Sequence, residues 1–98
     1  MTINKTQNGN ALTIALEGRL DTTTAPELEQ ELKQSLDGVE ALTFDFSKVD
    51  YISSAGLRVL LFAQKAMYSK GSLKVTHANE LVKEVFEVTG FASVLNIE

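Results

Sequence analysis

This sequence predicts a single α/β domain spanning residues 1–98, a mixed, mostly parallel sheet of four to five strands with helices packed mainly on one face. Three observations predict it. Leu12–Leu16 and Leu42–Phe46 alternate apolar with smaller or polar residues at period two, the pattern of a strand with one buried and one half-open face. Other segments carry leucine or valine at i, i+4 spacing, open on capping residues and stop at glycines, as amphipathic helices do. The two kinds of segment alternate along the chain, which right-handed crossovers and parallel strand pairing accommodate. Ninety-eight residues suffice for one core and not for two.

Taken in order, Ile3–Gln7 forms a short edge strand. Asn8-Gly9-Asn10 then turns the chain, with the positive φ angles that a type I′ hairpin requires, into the strand Ala11–Glu17. Gly18-Arg19-Leu20-Asp21 leads to a Thr-rich loop and a helix starting near Thr24. There Thr24 and Glu27 have capping-box spacing and Pro26 suits the first turn. Leu28, Leu32 and Leu36 make its core face, and Gly38 ends it. Leu42–Phe46 is a central strand whose exit continues through Val49–Ile52 after a break at Ser47-Lys48. From Ser54 the run is so apolar that Val59, Phe62, Ala63, Ala66 and Met67 join Leu57, Leu60 and Leu61 in seeking burial. Ser53 or Ser54 caps this helix and Lys70-Gly71 closes it. Leu73–Thr76 is a short strand. Thr76 or Asn79 caps a last helix with the stripe Leu81, Val82, Val85, Phe86 and Thr89, and the tail docks through Phe91, Val94 and Leu95.

Composition narrows the function. The chain is 44 % apolar and 22 % charged, a globular balance, with a net charge of −4. An acidic chain has no basic stripe for a phosphate backbone and no polybasic patch for a lipid surface, so neither nucleic acid nor direct membrane binding is expected. No cysteine and one histidine leave no thiolate chemistry and little for a metal site. With no apolar leader, the expected location is the cytoplasm.

Reactive groups in an open parallel sheet collect outside the carboxyl ends of its strands. Two segments point there, Gly18–Asp21 and Tyr51–Leu57. Ser53 and Ser54 read as helix caps or as a presented hydroxyl. Gly56 reads as a point of close helix–strand approach, and Asp21 as a turn residue. A nucleophile elbow needs G-x-S-x-G, but Ile52 stands two residues before Ser54, and no P-loop run exists. Asp21, Asp45 and Asp50 form no convincing acid–base pair, and His77 reads as a strand-exit residue. The expectation is a chain that is not an enzyme.

The run Phe44-Asp45-Phe46-Ser47-Lys48-Val49-Asp50-Tyr51-Ile52-Ser53-Ser54-Ala55-Gly56-Leu57-Arg58-Val59-Leu60-Leu61, preceded by Gly18–Ala25 and followed by Thr89-Gly90-Phe91, resembles the STAS domain of bacterial anti-sigma factor antagonists over nearly the whole chain. In that family a strand ends in aspartate-serine-(serine or threonine)-glycine-leucine, and the first serine is phosphorylated by a partner that is both serine kinase and anti-sigma factor. Gly56-Leu57 sets the register, so the resemblance implies Ser54 as phosphoacceptor, with Ser53 at the aspartate position and Ala55 at the second hydroxyl position. Asp21 matches a family aspartate near the acceptor. The implied partner-binding residues are Asp21, Thr22, Thr23, Ser53, Ser54, Gly56 and Arg58. The resemblance implies a STAS-type fold, no cofactor of the chain's own, ATP and Mg²⁺ on the partner kinase, and room for a cognate protein phosphatase. STAS-like domains also serve as non-phosphorylated scaffold subunits of transporter or stress-signalling assemblies, the alternative that Ser53 in place of aspartate favours.

Overall fold

The structure, a computed structural model, describes residues 1–98. Strands β1 (Thr2–Asn8) and β2 (Ala11–Leu20) form a hairpin, followed by helix α1 (Ala25–Ser35), strand β3 (Ala41–Ile52), helix α2 (Ser54–Met67), strand β4 (Ser72–Thr76) and helix α3 (Glu80–Val88). A 3₁₀ turn at Phe91–Ser93 and a two-residue strand β5 (Asn96–Ile97) close the chain. The sheet runs β1-β2-β3-β4-β5, with the first pair antiparallel and the others parallel. Each parallel strand is added on the same side of its predecessor, so crossovers of one hand carry all three helices to one face.

The alternation in the strands decides which face that is. Leu12, Ile14 and Leu16 of β2, Leu42, Phe44 and Phe46 of β3, and Leu73 and Val75 of β4 are buried under the helices. The residues between them, Thr13, Ala15, Thr43, Asp45 and Lys74, lie half-exposed on the open face. Leu28 and Leu32 come down from α1, Leu60, Ala63 and Met67 from α2, and Val82 and Phe86 from α3. Phe46 joins the layers, its ring centroid 6.3 Å from Phe44 and 6.2 Å from Phe86. Burying each such ring contributes roughly 1.5–3 kcal/mol against leaving it in water.

Several expectations are corrected. In the hairpin Gly9 alone takes a positive φ, 63°, so the turn follows the type II′ pattern with glycine first, not type I′. Ser47-Lys48 does not break the strand. Instead β3 carries two extra residues relative to β2, where the pairing steps from Ala15↔Asp45 to Glu17↔Lys48 and from Gly18↔Val49 to Arg19↔Tyr51. These bulges re-aim the chain so that Val49 and Ile52 return to the core. Thr24 stands at the N-cap of α1 but makes no capping bond, because its hydroxyl is drawn into the preceding loop. The third helix is capped by Asn79, which accepts from Val82 N at 2.8 Å and donates to Val49 O at 3.0 Å, pinning α3 to β3. Leu81 and Thr89 of its expected core stripe face solvent, as does Val94 of the tail. Leu95 is buried and Phe91 packs against the core, and the tail adds the fifth strand.

Candidate partner-docking site at the start of helix α2

The site is made where β2 and β3 end side by side, with Leu20 paired to Ile52. Ser53 N donates to Leu20 O at 2.9 Å, which ties the first residue beyond β3 to the last of β2. From there Ser53 is extended (φ −101°, ψ 177°), and its hydroxyl accepts from Gly56 N at 3.4 Å. Its carbonyl takes the first helical bond, from Leu57 N at 2.9 Å. Ser53 is thus the cap of α2, satisfying one of the orphan N–H groups at the helix start. Ser54 is the first residue of the helix and is exposed.

Gly56 is buried for a steric reason. A Cβ there would lie 2.8 Å from Leu20 Cγ, 2.9 Å from Ile52 Cγ1 and 2.9 Å from Leu20 O. Glycine lets the first turn of α2 rest directly on both strand ends, which sets the height at which Ser54 stands.

Beside it, the loop from β2 to α1 is fixed by Asp21. Its Oδ1 accepts from Thr23 N at 3.0 Å and Thr24 N at 3.1 Å, and its own N donates to Thr24 Oγ1 at 2.9 Å. Thr24 Oγ1 in turn donates to Arg19 O at 2.7 Å. The backbone N–H of Thr24 foremost, then that of Thr23, holds the Asp21 carboxyl below the usual carboxylate range, so it is a fixed anion at neutral pH. Arg19 Nε stands 3.5 Å from the other carboxylate oxygen, with its guanidinium 4.6 Å from the centre of the Tyr51 ring. The result is a shelf of ordered loop with Thr22 and Thr23 exposed along it. Between α1 and α2 runs a shallow groove of about 190 Å³, lined by Thr22, Ala25, Pro26, Ala55, Arg58 and Val59.

The structure therefore brings Asp21, Thr22, Thr23, Ser53, Ser54, Gly56 and Arg58 to one end of the molecule, at the carboxyl edge of β2 and β3 and the adjoining turns of α1 and α2. Asp45 and His77 are not part of it, while Asp50 is exposed near the carboxyl end of β3. Asp45 lies on the open sheet face, its carboxyl lowered first by the N–H of Ser47, and His77 reaches it at 3.6 Å from a left-handed strand exit with φ 61°. Arg19 and Tyr51 lie in the two segments that the sequence directs to this end, but their contact with each other and the pairing of Arg19 with Asp21 were not expected from it. Period-two spacing puts Arg19 on the side of Asp21, and that was the available signal, but Tyr51 meets it only through the second bulge of β3. Chemically, the site offers an exposed hydroxyl and a fixed carboxylate on an ordered corner.

Residues 3–96 match the family described as Mlab, STAS domain. The chain is 38 % identical over 88 residues to BtrV of Bordetella bronchiseptica, a protein assigned as an anti-sigma factor antagonist, covering 88 % of this chain and 76 % of that one. An anti-sigma factor antagonist from Mycobacterium paratuberculosis has a similar structure, with a TM-score of 0.88 at 23 % identity over 98 % of this chain and 83 % of that one. The Bacillus cell fate determinant SpoIIAA matches with a TM-score of 0.77 in both forms. Identity is 13 % over 99 % of this chain and 87 % of that one when unphosphorylated, and 14 % over 99 % and 91 % when phosphorylated. With the family match spanning residues 3–96 and a relative 38 % identical over 88 residues, the chain belongs to the STAS domain family, alongside the anti-sigma factor antagonists.

Proposed function

We propose that the chain is an anti-sigma factor antagonist that docks a combined serine kinase and anti-sigma factor while Ser54 is unmodified and releases it once Ser54 carries a phosphate. One observation carries the reading. Ser53 takes the capping bond of α2, and this leaves the exposed hydroxyl of Ser54 available to another protein. The partner supplies ATP, Mg²⁺ and the base. Ser54 Oγ attacks the γ-phosphorus, its proton passes to the partner's base, and the bond to the ADP oxygen breaks. A cognate phosphatase returns the serine by hydrolysis. Asp21, Thr22, Thr23, Ser53, Gly56 and Arg58 form or support the docking surface. The chain does not catalyse, and it works in the cytoplasm.

The phosphate adds about −1.5 to −2 charges beside the Asp21 anion, where a docked partner meets repulsion. The fold tolerates it, since the group sits at an exposed helix start with free N–H groups and the positive end of the dipole. That SpoIIAA matches this chain equally in both of its forms supports a switch without refolding. The test is mass spectrometry after incubation with ATP and the cognate kinase, followed by titration calorimetry. Modification is expected on Ser54, with Ser54→Ala binding like wild type and unable to be released, and Ser54→Asp binding at least tenfold more weakly. Equal affinity for all forms, or phosphate only on Ser53 or the threonines 22–24, refutes the reading. The scaffold role is favoured by one observation, the hydroxyl of Ser53 where the family carries aspartate. It predicts a stable complex with a non-kinase subunit that is indifferent to substitution at Ser54.

A further inference from the structure

The chain has two arginines, and the structure treats them differently. Arg19 is committed to Asp21 and to the face of Tyr51. Arg58 is exposed, forms none of the ion pairs in the molecule, and lines the groove between α1 and α2. It is also the residue four positions after Ser54 on α2, so the two side chains rise from the same face one turn apart. Of the acids on this side of the molecule, Glu29 of α1 is paired with Lys33 at 3.4 Å and Asp21 with its own loop, while Glu27 in the first turn of α1 and Asp50 near the end of β3 are exposed and form no ion pair.

We infer that Arg58 is the internal receptor for the phosphate of phosphorylated Ser54, and that by swinging to it the guanidinium leaves the groove in which the partner docks. This rests on the reading of Ser54 as phosphoacceptor and adds a second action to it. An anion preceding a cation by four residues is the favourable order on a helix, and a guanidinium fork matches two phosphate oxygens as no ammonium does. Phosphorylation then adds a repulsive charge and at the same time withdraws a donor from the docking surface. Arg58 is a positioning residue, acting on the partner through where its guanidinium is held.

The test needs no kinase. Phosphoserine is placed at position 54 of the full chain during translation, and its second ionisation is followed by ³¹P NMR in wild type, Arg58→Lys and Arg58→Gln. Asp21, Glu29 and the helix end are common to all three, so differences report residue 58. A phosphoserine of this kind titrates near pH 6. The wild-type midpoint is expected to lie at least half a unit below that of Arg58→Gln, a threefold change in proton affinity, with Arg58→Lys between them. The Arg58 Nε resonance should shift on going from serine to phosphoserine. Coincident midpoints for wild type and Arg58→Gln, or an Nε signal unmoved by the phosphate, overturn the inference. Because the phosphate is installed in translation, failure of a kinase to modify Ser54 would refute the functional reading and leave this result standing.

Discussion

Adjacent serines with one hydroxyl spent on the backbone and the other on the surface separate stability from signalling at the scale of a single residue. Ser53 holds the helix and Ser54 is exposed. Ser53→Ala should therefore cost about 1 kcal/mol in urea denaturation, the usual worth of a lost cap. Ser54→Ala should stay within about 0.5 kcal/mol of wild type, as surface substitutions do. A larger loss at Ser54 than at Ser53 would show that the cap is assigned to the wrong serine. The Asp21 carboxyl gives a pH signature. Its folded value is depressed by the N–H of Thr24, below an unfolded value of about 3.9. Its contribution is thus complete above the unfolded value and lost as the pH falls through the folded one. Asp45, lowered by the N–H of Ser47, acts in the same direction. The urea midpoint should fall as the pH drops below about 4, less steeply in Asp21→Asn and Asp45→Asn. Superimposable pH profiles for wild type and both variants would contradict the hydrogen-bond assignment.

At the scale of elements, Gly56 couples α2 to the two strands that carry the site. Gly56→Ala puts a methyl against Leu20 O, a backbone atom that cannot rotate away. The cost should be roughly 1–3 kcal/mol as overpacking, with amide shifts concentrated in residues 19–22 and 52–57 of a ¹⁵N spectrum. A neutral variant with unchanged shifts would mean that helix and strands are not in contact there. This joint was partly legible in sequence, since a glycine three residues after an extended cap points to close approach, and the period-two runs gave β2 and the first half of β3. What escaped was set by tertiary pairing. The bulges of β3 arise from its match to β2 and leave no mark in composition. Two residues, Asn96–Ile97, make β5 only because Lys74 and Val75 lie beside them. Thr24 and Glu27 had the spacing of a capping box, but Asp21 N competed for the threonine oxygen and Arg19 O for its proton. Leu81 fitted a stripe that a nine-residue helix at the edge of the layer is too peripheral to bury.

For the whole molecule, one cluster of buried side chains joins the strands to all three helices, while the docking corner contributes chiefly exposed polar groups. Stability and binding should therefore vary independently. Phe44 and Leu60 are fully buried at the centre of that cluster, and truncating either to alanine should cost roughly 2–5 kcal/mol through lost transfer energy and the cavity left behind. With a single core the transition should stay two-state, with one lowered midpoint for fluorescence and circular dichroism. Below that midpoint Phe44→Ala still presents Ser54, Asp21 and Arg58 on the same strand and helix ends, so its affinity for the partner at low temperature should stay within about twofold of wild type, a difference of about 0.4 kcal/mol. Ser54→Asp should do the reverse. Its carboxylate sits favourably at the start of α2, so Tm holds or rises slightly, while the charge weakens docking. Measuring Tm and dissociation constant for both variants places them in opposite corners of a stability–affinity plot. If the two quantities instead fell together in both, partner binding would depend on the integrity of the whole fold, and Ser54 would influence it only by stabilising or loosening α2.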